Sequence, residues 1–292
     1  MRCREIHAAF RDPTVRAIFT TLGGSHANEL LPFLDYDLIR ANPKIFTGYS
    51  DTTFLHFAIN KKAGLRTYYC VSTLSDLADA PKPIQFTVDH LLAVLSPSTS
   101  VPLGPIPRSQ FFAAHENAFF DDAASENPRT LVPSPAWRWV RPGKARGQLF
   151  GGVLGCVVRT IGTPYAPDSW VGKMLFVETS MADGNSDLPY PLYRIRESFT
   201  DLALAGVLGQ VSGVVIGRGY RYDQTMQDEV ARVVSEVFET IVWGDKPTPE
   251  FPILMNVDFG HTSPLLTLPY GALAELDSSK DEFSILEAGT AV

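Results

Sequence analysis

Residues 44–59 read KIFTGYSDTTFLHFAI. Lys44 to Thr47 carries the β-branched and aromatic residues of a strand, Gly48, Tyr49 and Ser50 form a sharp Gly-x-Ser turn, and from Phe54 the apolar positions follow helical spacing. Strand, elbow and helix in this order hold a serine hydroxyl above the carboxyl end of a strand, beside the unpaired N–H groups of the helix start. The same residues also suit a plain helix N-cap, because Ser50 followed by Asp51 and two threonines is what such caps use. The rest of the chain has to separate the two readings.

Upstream, residues 2–11 have a helical pattern. VRAIFTTL at 15–22 reads as a buried strand ending in Gly23-Gly24, and a further helix is predicted over 27–34. Downstream, the elbow helix ends near Gly64 and residues 66–71 form another strand. Strands alternating with helices predict a doubly wound, mainly parallel sheet. Only about three strands precede the change of pattern, fewer than the ~5 usual in an open sheet, so the first βα units are expected to be missing.

Residues 80–142 are rich in proline, serine and asparagine, with one predicted helix at 86–95 and an apolar loop at Phe111 and Phe112. From Gly143 a second unit begins. It has an apolar run at 147–161 around Gly151-Gly152, a strand at 173–177 closing on Glu178, an amphipathic helix at 193–204 and a strand at 211–216. A longer helix follows at 223–241, then a strand at 251–257 closing on DFGH and a hairpin tail joined at 277–280. The expected organisation is α/β throughout: a nucleophile domain over 1–80, a connecting and substrate-facing segment over 81–142, and a mixed, β-rich C-terminal domain over 143–292.

Composition narrows the class. The chain has 292 residues, 45% of them apolar and 20% charged, enough for two domains with a substantial core. A net charge of −7 without any lysine or arginine block argues against nucleic acid or an anionic membrane as partner. No window approaches the ~20 uninterrupted apolar residues of a membrane span, and MRCREIHAAF lacks the apolar centre of a signal peptide. Cys3, Cys70 and Cys156 match neither a zinc spacing nor an even disulfide set, so reduced thiols and a cytoplasmic location are expected.

A serine hydroxyl is too weakly acidic to attack a carbonyl unaided; Ser50 needs a base, and the base an orienting acid. Of six histidines, His7 and His90 fall on helices expected at the surface, His26 in a glycine-led turn, His56 within the elbow helix and His115 in the polar loop. His261 differs, because it follows a buried strand in a turn where glycine lets the backbone bend, which suits a base pointing into a cleft or equally a histidine that caps the loop. Glu178 and Asp258, each closing a strand, compete as the acid. For the oxyanion, the Asp51 N–H and the Gly23-Gly24 turn are the candidate donors, though glycine pairs also serve ordinary turns. No His-x-x-x-His, cysteine pair, Asp-x-Asp loop or phosphate-binding glycine loop is present, so neither metal nor cofactor is expected.

Four segments together carry a resemblance: TLGGSHANELLPFLDYDLI at 21–39, NPKIFTGYSDTTFLHFAI at 42–59, GKMLFVET at 172–179 and ILMNVDFGHTSPLLTLPYGA at 253–272. In this order they resemble the LD-carboxypeptidase family of serine peptidases, and more closely its microcin C immunity branch. The resemblance implies a nucleophile at Ser50, a glutamate at Glu178, a histidine at His261 and oxyanion donors at Gly24 and Asp51, with Gly23 beside the substrate. It further implies a homodimer of two-domain subunits that hydrolyses, without metal, an amide next to a free carboxylate or in a peptidyl- or aminoacyl-nucleotide conjugate. Where that branch offers an aromatic ring to a nucleobase, Phe111 and Phe112 stand in place of its tryptophan pattern; Trp137 is another candidate, with core packing as its competing role.

The departures are specific. Family members carry a further strand and helix ahead of this point, Cys70-Val71 replaces a Gly-Pro pair, and Val153 replaces the asparagine of Gly-Gly-Asn. These keep open a second reading, a truncated or impaired relative that binds its ligand without cleaving it. An α/β-hydrolase esterase fits less well, since Thr52 stands where Gly-x-Ser-x-Gly requires glycine.

Overall fold

The computed structural model describes residues 2–96, 101–115, 120, 125–182, 185–240 and 249–290. Two sheets organise them. The smaller runs Ala17–Phe19, Ile45–Gly48, Tyr68–Tyr69 and Leu268–Pro269, the first three parallel and the last antiparallel. The larger has eight strands among the described residues, with Lys144–Val153, Lys173–Glu178, Gly213–Gly217 and Ile253–Val257 parallel at its centre. Antiparallel strands flank this centre: the hairpin Leu273–Asp277 and Glu282–Ile285 with Gly104–Pro105 on one side, Arg138–Arg141 on the other.

Three of the central parallel strands, Lys173–Glu178, Gly213–Gly217 and Ile253–Val257, are apolar almost without interruption, as strands covered on both faces must be. Helices Leu192–Leu204 and Gln224–Thr240 pack against each other and share the core of these strands, burying Ile195, Phe199 and Leu202 from the first and Val230, Val234 and Phe238 from the second. The elbow helix Thr53–Ala63 contacts Lys144–Val153 and the short helix Leu154–Thr160. Contacted on several sides, it is buried nearly all round, and Gly64 in the left-handed region ends it by donating to the Asn60 carbonyl.

The two sheets are tied together by chain crossing. After Ile253–Val257 in the larger sheet, the chain turns through Asp258 to Thr267 and enters the smaller sheet at Leu268–Pro269, opposite Tyr68–Tyr69. The turn bearing His261 therefore lies on a link between the sheets. Tyr49, Phe57 and Tyr69, all from the first seventy residues, belong to the core cluster of the larger sheet. A second cluster, around Phe10, Phe46 and Phe54, closes beneath the smaller sheet.

Several local expectations change. The helix predicted over 27–34 is a 3₁₀ helix, Ala27–Phe33, with Pro32 inside it; proline removes an N–H and disfavours the wider α turn. The run at 147–161 divides into a long strand and a helix, Leu154–Thr160. Phe111–Phe112 pairs with Val132–Pro133 as a short hairpin instead of a loop. Helix Gln85–Leu95 is not a free surface element: its His90 is buried and accepts a hydrogen bond from the Thr267 N–H at 2.9 Å.

Candidate active site

Ser50 sits directly beyond strand Ile45–Gly48 with φ of 60°, a left-handed conformation that a serine adopts only under constraint. The constraint is visible on both sides of it. Gly48 has φ of 154° and no room for a side chain against the Thr20 hydroxyl, and its carbonyl is held 2.9 Å from Nε2 of His56. His56 is fully buried between this carbonyl and the Thr67 hydroxyl, 2.8 Å from Nδ1, and burial lowers its pKa to about 4. After Ser50 the chain closes a 3₁₀ turn, Ser50–Thr52, that leads into the elbow helix, with the Thr53 hydroxyl donating to the Ser50 carbonyl at 2.6 Å. The elbow reading and the N-cap reading thus separate: no side-chain cap bond forms here, and Ser50 Oγ points elsewhere.

It points at His261, whose Nε2 lies 3.0 Å from Ser50 Oγ. On the other side of the ring, Nδ1 lies 2.9 Å from Oε2 of Glu178, and the remaining Oε1 accepts from the Tyr69 hydroxyl at 2.7 Å. Glu178 has no solvent exposure. Two glycines make room for it: a side chain at Gly260 would meet its Cβ at 2.9 Å, and one at Gly217 would meet it at 3.1 Å. The competition between the acids resolves accordingly. Asp258 is paired with the buried Arg218 and accepts from the Ser109 N–H at 3.3 Å, away from the histidine.

The turn carrying His261 is held from three directions. Arg218 donates to the Thr262 hydroxyl at 3.1 Å and to the Pro264 carbonyl at 2.9 Å, besides Asp258. Arg129, from the segment between the two units, donates to Ser263 Oγ at 2.8 Å and to the Ser75 carbonyl, and forms a buried ion pair with Asp79. The Tyr49 ring stands edge-on to the imidazole at 5.1 Å, anchored by its hydroxyl to Ser75 Oγ at 2.9 Å. Ser75 in turn donates to Asp76 at 2.6 Å. Burial pushes that carboxyl up, opposed by its hydrogen bonds and by Arg129 and His261.

Gly23 lies against the serine. A Cβ there would come within 2.8 Å of Ser50 Oγ and 3.1 Å of the Asp51 nitrogen, so only glycine lets the turn approach. Gly24, with φ of 93°, has nothing near its Cβ position and lines the same cleft. The Asp51 side chain is used structurally: Oδ2 accepts from the Ala27 N–H at 2.6 Å, and burial raises its pKa. Ser50, Gly23, Gly24, Asp51 and His261 all border one cavity of about 1050 Å³, together with Tyr49, Phe120, Val153, Arg159, Tyr190, Arg194 and Ser198.

The three aromatic candidates fall outside that cavity. Phe111 is half exposed on its hairpin, and Phe112 is buried under the Arg218 guanidinium at 4.9 Å and borders a neighbouring cavity. Trp137 lies beneath Arg108 at 3.6 Å and packs against the core. The aromatic rings that do line the Ser50 cavity are Tyr49, Phe120 and Tyr190. Among the described residues no group of three or more potential metal ligands occurs, and no helix is long and apolar enough to cross a membrane.

The chain is similar to known proteins over nearly its whole length. Residues 1–70 match the LD-carboxypeptidase N-terminal domain and residues 146–276 the LD-carboxypeptidase C-terminal domain. YocD of Bacillus subtilis, assigned as a carboxypeptidase, is 32% identical over 95% of this chain and 77% of its own. The chain belongs to the LD-carboxypeptidase family of hydrolases. Within that family the microcin C7 self-immunity protein MccF of Escherichia coli is 29% identical over 98% of this chain and 78% of its own. Solved structures of MccF with adenosine monophosphate and with aspartyl sulfamoyl adenosine superpose with TM-scores of 0.85, at 28% and 27% identity, covering 99% of this chain and 81% of theirs. The two-domain family fold supplies the frame in which the Ser50, His261 and Glu178 side chains meet.

The residues that sequence reasoning missed are those that act through space. Tyr69, Arg129 and Arg218 touch the site from outside the elbow, and Tyr49, next to Ser50, reads in the sequence only as the middle residue of the turn. Of them only Arg218, between two glycines at the end of an apolar strand, had a local signal that could have been read.

Proposed function

We propose that the chain is a serine hydrolase cleaving an amide bond next to a free carboxylate, or within a peptidyl- or aminoacyl-nucleotide conjugate. The observation carrying this reading is the continuous chain of hydrogen bonds from Ser50 Oγ through His261 to Glu178. Ser50 Oγ attacks the carbonyl carbon while His261 Nε2 takes its proton. Glu178 keeps Nδ1 protonated and favours the imidazolium that forms. The oxyanion of the tetrahedral intermediate is held by the N–H groups of Asp51 and Gly24, each such donor contributing about 10²–10³-fold in rate. His261 then passes the proton to the departing amine, and a water molecule hydrolyses the acyl ester on Ser50 by the same relay.

The substrate class rests on the relatives. MccF structures contain adenosine monophosphate or aminoacyl sulfamoyl nucleosides, and other relatives are murein peptide carboxypeptidases. Three free thiols and the usual state of the family support a cytoplasmic homodimer. Turnover of a short peptide acid and of an aminoacyl-nucleotide conjugate by the purified protein, against Ser50→Ala, tests the reading. The variant is expected to lose about 10⁶-fold in kcat, by analogy with other triads. Undiminished turnover by the variant overturns it.

A further inference from the structure

The cavity beside Ser50 has a polar wall that the triad does not use. Arg159, exposed at the end of helix Leu154–Thr160, and Arg194, half-buried in helix Leu192–Leu204, both line it, as do Tyr190 and Ser198. Tyr190 lies in the same wall: burial raises the pKa of its phenol, and Ser198 and the charges of Arg194 and Arg159 oppose the rise. Arg159 is pre-positioned. Nε donates to the Gly155 carbonyl at 3.2 Å, Nη2 contacts Cys156 Sγ at 3.2 Å, and the guanidinium lies 5.0 Å from the Phe54 ring. Among the described residues it forms no ion pair. The carboxylate that borders the same cleft, Asp51, accepts from the Ala27 N–H through Oδ2; burial raises its pKa, opposed by that bond and by the charge of Arg159. Two guanidinium groups with two hydroxyls, converging on a cleft in a chain of net charge −7, are chemistry suited to an oxyanion with planar or tetrahedral geometry.

We propose that Arg159 and Arg194 hold an anionic group of the substrate, a carboxylate or a phosphoryl, and thereby select which amides reach Ser50. The assignment rests on the reading of this cleft as the substrate site but not on the triad working as described. A guanidinium pair of this kind discriminates through binding. An anionic ligand gains charge-assisted hydrogen bonds that its neutral counterpart cannot make, and the gain shrinks as salt screens a partly open site.

The test is therefore made by equilibrium binding in a Ser50→Ala background, where nothing is turned over. Two matched pairs of ligands are compared by calorimetry: a short peptide acid against its C-terminal amide, and adenosine monophosphate against adenosine. At low salt the anionic member of at least one pair is expected to bind about 10-fold or more tighter, and the pair that shows the preference identifies carboxylate or phosphoryl as the group read. Arg159→Gln with Arg194→Gln is expected to abolish the preference, and Arg159→Lys to retain part of it, because lysine keeps the charge without the planar fork. Raising salt from about 0.05 to 0.5 M on the unaltered cleft is expected to weaken the preference, a readout that needs no arginine variant to fold. Equal binding within both pairs, or a preference that survives the double substitution, overturns the assignment. Failure of the triad reading is seen separately, as turnover retained by Ser50→Ala.

Discussion

The Tyr69 hydroxyl donates to Oε1 of Glu178 at 2.7 Å, leaving Oε2 for His261. Tyr69 lies in the smaller sheet and Glu178 ends a strand of the larger, so this bond fixes the acid of one unit with a group from the other. Tyr69→Phe removes the donor and keeps the ring. A buried charged acceptor losing one bond costs about 1–3 kcal/mol, and kcat is expected to fall roughly 10- to 100-fold with KM little changed. Steady-state kinetics of the variant check this.

Gly260 is required twice over, by its φ of 110° and by its contact with Glu178, whose Oε2 would lie 3.0 Å from an added Cβ. Gly260→Ala should therefore destabilise by about 1–3 kcal/mol and displace the histidine turn. Denaturant unfolding together with loss of activity well beyond the stability change checks it. At Gly24, where an added Cβ meets nothing, alanine is expected to cost only the backbone strain.

Arg218 and Asp258 form a buried ion pair at the root of the turn that carries His261. Arg218→Ala leaves Asp258 uncompensated and removes the bonds to Thr262 and Pro264, an expected loss of about 3–5 kcal/mol. The double variant Arg218→Met with Asp258→Leu is expected to recover much of that stability but not the activity, since the turn has lost its fastening. Unfolding curves and kcat measured on the same two proteins separate the contributions.

His90 is buried and neutral, with a pKa lowered by burial from 6.5 to about 4. The unfolded chain takes up a proton between those values that the folded chain does not, so stability rises with pH across the window and is lost as pH falls from about 6.5 towards 4. His90→Asn keeps an acceptor for the Thr267 N–H and removes the titration. The stability gap between the two proteins is expected to narrow by up to roughly 3 kcal/mol between pH 7 and pH 4. His56 behaves in the same sense, and its variant is expected to disturb the elbow as well, through the Gly48 carbonyl.

What was legible in the sequence was whatever has a local signature. The elbow at Gly48 to Ser50, the apolar strands closing on Glu178 and on the turn before His261, and the hairpin tail each announce themselves within about ten residues. Pairings between distant segments leave no such trace. Tyr69 meets Glu178 across 109 positions and His261 meets Ser50 across 211. Helix Gln85–Leu95 looked like a surface element because its burial is supplied from elsewhere, by the segment around Thr267. Phe111 and Phe112 follow from the resemblance to the immunity branch, yet Phe112 stacks on Arg218 outside the Ser50 cavity, and Trp137 takes the packing role that competes with substrate binding there, beneath Arg108. Of the rings lining the Ser50 cavity, Tyr49 lies within the elbow itself, while Phe120 and Tyr190 come from segments without a local signature.

The reactivity of Ser50 is the claim on which the rest depends, and covalent labelling reads it without knowledge of the substrate. The intact protein treated with a fluorophosphonate is expected to gain one adduct, located at Ser50 by peptide mass spectrometry. Ser50→Ala is expected to gain none, and His261→Ala to react at least about 100-fold more slowly, because the base is gone. An unlabelled wild-type protein, an adduct at another residue, or a labelling rate indifferent to His261 would contradict the account.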